Sequence, residues 1–219
     1  QLSAEAGVGM RAVDLPQDGV TYQIRSGAYP ALGVGFQLDY QLSSRLSVGL
    51  FARYQSSLGL VLQEQLSSGT VHPRNTRSHF FEAGIAPSLH WDDSGWALAG
   101  LLGYSVLELD PLNHLVTPSY HLGGVHARIC VRIPLGSERV RLSLGPEGQL
   151  TLQMGDELQA RGVSARGFGA GANAAFEVSL SERWLVAATF RELHFWFDTQ
   201  QGSDFTDATR ILALLAASS

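Results

Sequence analysis

Histidine and aspartate residues cluster around residues 109–121, where they could serve as a general acid and base. Asp110, His114 and His121 are the candidates, because an imidazole beside a carboxylate can activate water or a hydroxyl group for hydrolysis. Ser119 lies two residues before His121, but this spacing is not specific to any class of hydrolase. No longer motif surrounds these residues, and His with Asp is common on solvated loops. The sequence therefore predicts that the chain has no catalytic site. The alternative is a hydrolase, for which Asp110, His114 and His121 are the candidate catalytic residues.

A metal site built on His114, His121 and His126 would require three ligands that converge on one point. His121 and His126 are an odd number of residues apart, so in a strand their side chains point to opposite faces. We reject this trio and predict neither a metal nor another cofactor. Cys130 is the single cysteine, which excludes an internal disulfide and predicts a packed free thiol.

Composition limits the classes of protein to consider. The 219 residues include 16% charged residues, below the roughly 25% of a typical soluble domain, and all 15 basic residues are Arg. The net charge of −5 argues against a nucleic-acid partner. No stretch reaches the roughly 18 apolar residues of a transmembrane helix. A chain of this length can form one all-β barrel, and we predict a single domain over residues 1–219.

The dominant pattern is an alternation of apolar and polar residues with period two, which predicts strands. In one such segment Val125, Ala127, Ile129 and Val131 alternate with residues that include His126 and Arg128. The ten predicted strands cover residues 2–12, 28–40, 45–57, 78–91, 96–108, 120–133, 138–154, 164–180, 184–197 and 205–216.

The connections between these strands alternate in length. Short polar connections lie near 41–44, 92–95, 134–137 and 181–183, and longer ones near 13–27, 58–77, 109–119, 155–163 and 198–204. This order predicts an up-and-down antiparallel sheet with the short turns and both termini at one end. The strand over 138–154 is predicted to be the longest, and residues 58–77 are expected to be partly stranded. We therefore expect the sheet to form a raised rim at the long-loop end.

The polar face of the strands combines small residues with a few long charged ones, which suits the lumen of a narrow barrel. An Arg on the outside of a membrane barrel would cost about 2–4 kcal/mol at mid-membrane, whereas inside it can be paired. A soluble ligand-binding barrel is the structural alternative, but it would expose a continuous apolar band to water. The predicted polar network of the lumen is Arg53, Glu82, His90, His126, Arg128, Arg132, Arg141, Glu147, Glu177 and Arg191.

Aromatic residues on the apolar face predict where the membrane interfaces lie, because such rings collect at the headgroup level. Tyr40, Trp91, Trp96 and Trp184 flank the short turns. Tyr29, Tyr54 and Trp196 are further candidates at the other end, beside the set predicted there: Tyr104, Tyr120, Phe168 and Phe190. About ten residues separate the two levels, which spans roughly 25 Å in a tilted strand.

This pattern resembles the bacterial outer-membrane β-barrel superfamily over essentially the whole chain. The resemblance implies an all-β fold, an up-and-down antiparallel transmembrane β-barrel of about ten strands (eight to twelve), in the outer membrane after removal of a signal peptide. It also implies short turns that face the periplasm and long loops outside. Many members end in a strand with a terminal aromatic residue, whereas this chain ends Leu214-Leu-Ala-Ala-Ser-Ser219.

The preferred function is a non-enzymatic anchor or interaction component of the envelope, with a lumen plugged by its own side chains. A narrow channel for small polar solutes is one alternative. A barrel-embedded hydrolase at the outer rim, a protease or a lipid-modifying enzyme, is another, since the omptin proteases also have ten strands. The expected partners are outer-membrane lipid and an envelope protein at the long-loop rim or the periplasmic turns.

Overall fold

A computed structural model describes residues 1–17, 20–65, 69–91, 95–112, 117–137, 139–181, 184–199 and 205–218. The backbone is almost entirely strand, with one short helix, α1 (Asp156–Ala160). No described helix is long and apolar enough to cross a membrane. The strands are β1 (Leu2–Gln17), β2 (Val20–Ser26), β3 (Tyr29–Gln41), β4 (Leu46–Ser57), β5 (Leu60–Gln65), β6 (Val71–Trp91), β7 (Trp96–Pro111), β8 (Tyr120–Pro134), β9 (Val140–Met154), β10 (Val163–Ser179), β11 (Trp184–Thr199) and β12 (Phe205–Ser218).

The sheet closes on itself as an antiparallel barrel. Strand β1 pairs with β12 from Leu2 opposite Ser218 to Asp14 opposite Thr206. The closed ring runs β1, β3, β4, β6, β7, β8, β9, β10, β11, β12 and back to β1, so ten strands surround the lumen. Every pairing is between antiparallel strands, and both ends of the described chain lie at the short-turn end. The predicted up-and-down barrel of about ten strands is confirmed.

Strands β2 and β5 extend two members of this ring. Strands β2 and β3 follow each other along one line of the sheet and are separated by residues 27–28. Strands β4 and β5 are separated in the same way by residues 58–59, where Gly59 has a positive φ of 65°. Beyond these breaks β2 pairs with both β1 and β5, and β5 pairs with β6. The prediction of a loop at 13–27 is therefore largely wrong, whereas the described part of 58–77 is stranded and adds to a raised rim, as expected.

A register shift at the long-loop end of β9 changes which residues face the lumen. Gly123 is opposite Gln153, whereas Gly124 is opposite Thr151, so Leu152 is the extra residue of a β-bulge. Leu152 stays on the outside, but Met154 is buried in the interior. Plain alternation had placed both side chains on the outer face.

The outside of the barrel carries the apolar belt that a bilayer requires. Leu50, Ile129 and Leu214 are each more than half exposed at outward positions of three different strands. The predicted interface aromatics lie on this same surface, with one exception. Tyr40, Trp91, Trp96, Trp184, Tyr104, Phe168 and Phe190 are all exposed on the outer face.

The exception is Tyr120, whose ring is inside the barrel with an exposed fraction of only 3%. Tyr29, a further candidate for the same girdle, is buried as well. Both residues lie towards the long-loop end, where the interior is an apolar core that includes Leu109, Leu122 and Phe197. There the exterior is no longer hydrocarbon, and apolar side chains turn inward as in a soluble protein.

Candidate functional site

The interior of the barrel is the candidate functional site, and it is divided into levels along the barrel axis. At the short-turn end lies a cavity of about 900 Å³, which we call the vestibule. Its mouth is formed in part by Ser43 and Ser44 of the turn between β3 and β4. At its inner end it meets a group of charged side chains, the central ion cluster, defined here as Glu5, Arg53, Glu82, His126, Arg128, Glu147 and Arg191.

Glu147 is the most heavily bonded member of the central ion cluster. The guanidinium Nε of Arg191 donates to its two carboxylate oxygens at 2.7 and 3.0 Å. Arg128 donates to Oε2 through Nε at 3.2 Å and Nη2 at 3.1 Å. His126 Nε2 lies 3.3 Å from the same oxygen. The carboxylate is fully buried, so these donors replace the water that it loses.

Glu82 is a further buried acidic residue of the cluster and lies on β6, three strands from β9 around the ring. Its Oε2 is 3.7 Å from both Arg128 and Arg191, and its Oε1 is 3.5 Å from Arg53. Arg53 in turn bonds Glu5 at 2.5 Å. Strands β6 and β11, which carry Glu82 and Arg191, are five strands apart in either direction around the ring. Their approach therefore bridges the full width of the lumen.

The central ion cluster is balanced in charge. Three carboxylates, on Glu5, Glu82 and Glu147, face three guanidinium groups. The Arg191 guanidinium also lies over the Phe80 ring, 4.4 Å from its centroid. Each charge of the group has an oppositely charged neighbour within 4 Å, but the buried atoms Glu82 Oε2 and His126 Nδ1 have no hydrogen-bond partner among the described residues.

A second buried ion pair closes the lumen one level further from the vestibule. Arg11 bonds Asp207 through Nη2 at 2.5 Å and Nε at 3.1 Å, and both side chains are fully buried. Arg11 also donates to Ser78 at 2.8 Å and to Tyr120 at 3.3 Å. Tyr120 donates to Asp207 at 2.9 Å. Because β1 and β8 are opposite each other in the ring, the contact between Arg11 and Tyr120 again spans the lumen.

Between these two levels lies a small cavity of about 30 Å³, lined by Gln55, Phe80 and Thr209 among others. A space of that size holds one or two water molecules. The side-chain atoms Gln55 Nε2 and Thr209 Oγ1 are buried without a protein partner, and water at this place would satisfy them. No open passage is needed to explain them.

The raised rim is fastened to the loop between β7 and β8 at the far end. The Glu64 carboxylate accepts hydrogen bonds from the backbone N–H of Thr117, at 2.9 Å, and from the Thr117 hydroxyl. Arg74 donates to the same carboxylate at 3.2 Å. Glu64 and Thr117 are both almost completely buried. Together with the apolar core below, these contacts fill the long-loop end.

The structure separates the ten predicted lumen residues into two groups. Arg53, Glu82, His126, Arg128, Glu147 and Arg191 meet in the central ion cluster. The remaining four, His90, Arg132, Arg141 and Glu177, line the vestibule instead. All four face the lumen, but they lie at the level of the vestibule rather than within the central ion cluster.

The hydrolase candidates do not assemble into a catalytic arrangement among the described residues. Ser119 donates directly to Asp110 at 2.9 Å, with no imidazole between them. His121 is exposed on the outer face, opposite Glu108 of β7. His114 lies outside the described residues.

The described residues include no group of three or more His, Cys, Asp or Glu side chains placed to hold a metal ion. His121 and His126 are on opposite faces of β8, the former outside and the latter fully buried. The Cys130 thiol lies on the wall of the vestibule and donates to the Asn173 side-chain oxygen at 3.0 Å.

Sequence reasoning missed Glu5, Arg11 and Asp207 as interior charges. A signal for the first two was present, because Ser3, Glu5, Gly7, Gly9 and Arg11 occupy the same face of β1. Asp207 had no comparable signal, since its face of β12 also carries Phe205 and Ile211.

No protein-family model and no curated protein matches the chain. Solved structures resemble it at low sequence identity. The transport unit of the autotransporter AIDA-I from Escherichia coli has a TM-score of 0.53 at 10% identity, over 100% of this chain and 90% of that chain. The outer-membrane protease OmpT from Escherichia coli has a TM-score of 0.48 at 11% identity, over 100% and 96%. The outer-membrane protein OprG from Pseudomonas aeruginosa has 0.43 at 9% identity, over 100% and 95%.

At identities of this size the likeness is one of fold. The resemblance to the AIDA-I transport unit covers the whole chain. The closed ten-strand ring, the apolar exterior and the polar interior at membrane level agree with it. The chain has the fold of the bacterial outer-membrane β-barrels.

Proposed function

We propose that this outer-membrane β-barrel is a non-conducting, non-enzymatic component of the envelope, which anchors the raised rim at the cell surface. The observation that carries the proposal is the double bridging of the lumen. Arg191 reaches Glu82 from the opposite wall, and Arg11 reaches Tyr120 from the opposite wall one level higher. A continuous water path would have to break both groups of contacts.

The energetics of buried ion pairs support this interpretation. Moving either charged group aside leaves its partner uncompensated in a poorly solvated place, at a cost of about 3–5 kcal/mol. Opening of the lumen would then be a rare event. A narrow channel for small polar solutes, which remains the alternative, would require such openings to be frequent.

The rim is the surface that we propose for an envelope partner. Strands β2 and β5 pair with each other, so their backbones are satisfied, and the outward side chains include Gln23, Arg25 and Gln63. Photo-cross-linking in native membranes is expected to give a protein adduct from position 63. Lipid adducts alone from position 63, as expected from the lipid-facing position 50, would contradict this part of the proposal.

Conductance across a planar lipid bilayer tests the closed lumen. We expect the purified chain to insert without reproducible unitary current steps, because both bridged levels block ion flow. A general porin reconstituted under the same conditions provides the positive control for insertion and detection. Regular current steps that scale with salt concentration would contradict a plugged lumen and would favour the channel.

A further inference from the structure

The vestibule is large enough to be a binding site and is not explained by an anchoring role. Its volume of about 900 Å³ falls within the roughly 300–1,000 Å³ of small-molecule sites. It is bounded on the inside by the central ion cluster and opens between the short turns. If the short turns face the periplasm, as in other barrels of this class, the vestibule is a blind pocket on the periplasmic side.

The vestibule wall outside the central ion cluster carries two acidic and two basic side chains, and they are not all paired with each other. Glu177 lies directly opposite Arg141 in the pairing of β10 with β9, and it also accepts a hydrogen bond from Ser143 at 3.3 Å. Asp39 is on β3, four strands away from β8 around the ring, and accepts from Gln37 at 2.8 and 2.9 Å. Arg132 faces the cavity from β8 and forms no ion pair with a described acidic residue.

A histidine lies in the same cross-strand row as this arginine. His90 is opposite Ala97, and Ala97 is opposite Arg132, so one small side chain separates the two. Strands are about 4.8 Å apart, which puts the two backbones about 10 Å from each other. Long side chains over an alanine can converge on one group from that distance. The His90 ring has its Nε2 3.4 Å from the Ser88 hydroxyl, and no hydrogen bond of its Nδ1 to a described residue is found.

We propose that Arg132 and His90 form a binding site for a small anion, the carboxylate or phosphate group of a molecule that enters from the short-turn side. A guanidinium presents a planar pair of N–H donors that matches either group. Glu177, two strands away on β10, accepts a hydrogen bond from Ser143 and lies opposite Arg141. The carboxylates and guanidiniums of the central ion cluster balance each other, so Arg132, which has no ion-pair partner among the described residues, is the cation available to a ligand on this wall.

Cys130 provides a native reporter for this site. It is the only cysteine of the chain, lines the vestibule, and lies two residues from Arg132 on the same face of β8. We expect Cys130 to react faster with the anionic reagent sulfonatoethyl methanethiosulfonate than with the cationic trimethylammonioethyl methanethiosulfonate. Each rate is divided by the rate of the same reagent with a free thiol in solution, and the quotient of the two results, anionic over cationic, is the corrected ratio. A guanidinium two residues along the strand, about 7 Å away, attracts the anionic reagent and repels the cationic one, so we expect a corrected ratio of about 5.

The variant Arg132→Gln is expected to lower this corrected ratio to about 1, since it removes the positive charge beside Cys130 that has no ion-pair partner among the described residues. Arg139→Gln is the matched control, because Arg139 is exposed at the neighbouring short turn and does not line the vestibule. It should leave the ratio unchanged. The rate of a neutral methyl methanethiosulfonate, together with the circular dichroism of each variant, verifies that the fold is intact. Equal ratios in the wild type and in Arg132→Gln would overturn the proposal.

Protection experiments identify the anion. Inorganic phosphate and succinate are each added at millimolar concentration while Cys130 reacts with the neutral reagent. We expect at least one to slow the reaction in the wild type and in Arg139→Gln, and to lose this effect in Arg132→Gln and His90→Gln. Protection by phosphate alone assigns a phosphate ligand, and protection by succinate alone a carboxylate. Failure of both anions, or equal protection in Arg132→Gln, would overturn the site.

Discussion

Replacing Asp207 with Ala is expected to lower the free energy of unfolding by about 3–5 kcal/mol, because it leaves the Arg11 guanidinium buried without a counter-charge. Both side chains of this pair are 0% exposed, so bulk water does not reach the place of the lost carboxylate. Tyr120 also loses the acceptor of its hydroxyl. The measurement is reversible urea unfolding in detergent micelles or lipid vesicles, followed by tryptophan fluorescence.

Two further variants show whether the loss comes from the uncompensated charge. Asp14→Ala removes the partner of Arg25 from an ion pair whose side chains are 34% and 42% exposed, and it should cost less than about 1 kcal/mol. Combining Asp207→Ala with Arg11→Met should recover most of the loss, since an apolar replacement removes the stranded charge. A double variant as unstable as Asp207→Ala alone would contradict this explanation.

Glu147→Gln is the second variant with a large expected effect, again about 3–5 kcal/mol of unfolding free energy. The amide keeps the shape of the side chain but removes the charge that balances Arg128 and Arg191. Those two guanidiniums would then share only Glu82, at 3.7 Å from each. The central ion cluster would carry one excess positive charge at the middle of the membrane.

Glu177→Gln is the matched control for Glu147→Gln. It makes the same chemical change on the adjacent strand, but at the wall of the vestibule, where the side chain is half-buried. We expect a loss below about 1 kcal/mol. Losses of equal size for the two variants would show that water reaches the cluster as freely as it reaches the vestibule.

The architecture could be predicted from the sequence because one physical rule governs the membrane-level part of every strand. Hydrocarbon outside and a crowded lumen inside force strict alternation, as in Val125–Val131 against His126 and Arg128. Above the membrane the alternation of faces continues, but water contacts the outer face, so Leu109 and Leu122 lie inside while Glu108 and His121 lie outside. Tyr120 shares the inward face of β8 with His126, and Tyr29 the inward face of β3 with Gly33, so their assignment to the outer girdle went against the alternation of their own strands.

The interior site could be predicted only in part, since alternation tells which face a residue occupies but not which partner it reaches. Arg191 and Glu82 belong to opposite walls, and their contact depends on the barrel diameter and on small residues nearby. The vestibule could not be predicted from the alternation for the same reason. It forms where several inward-facing side chains are short, and their positions in space depend on the barrel geometry. The bulge at Leu152 shows a further limit, since a single extra residue changes the side that Met154 faces.

The central claim is that the chain spans the membrane as a barrel with its apolar belt in lipid. The most direct test is the quenching of the fluorescence of its four tryptophans by brominated phospholipids. Trp91, Trp96 and Trp184 are exposed on the outer face at the short-turn end, and Trp196 stacks on Phe168 towards the other end. We therefore expect strong quenching by lipids brominated near the headgroup and weaker quenching by lipids brominated near the chain ends. Quenching that is absent, or strongest with the deepest bromines, would contradict the membrane-spanning barrel.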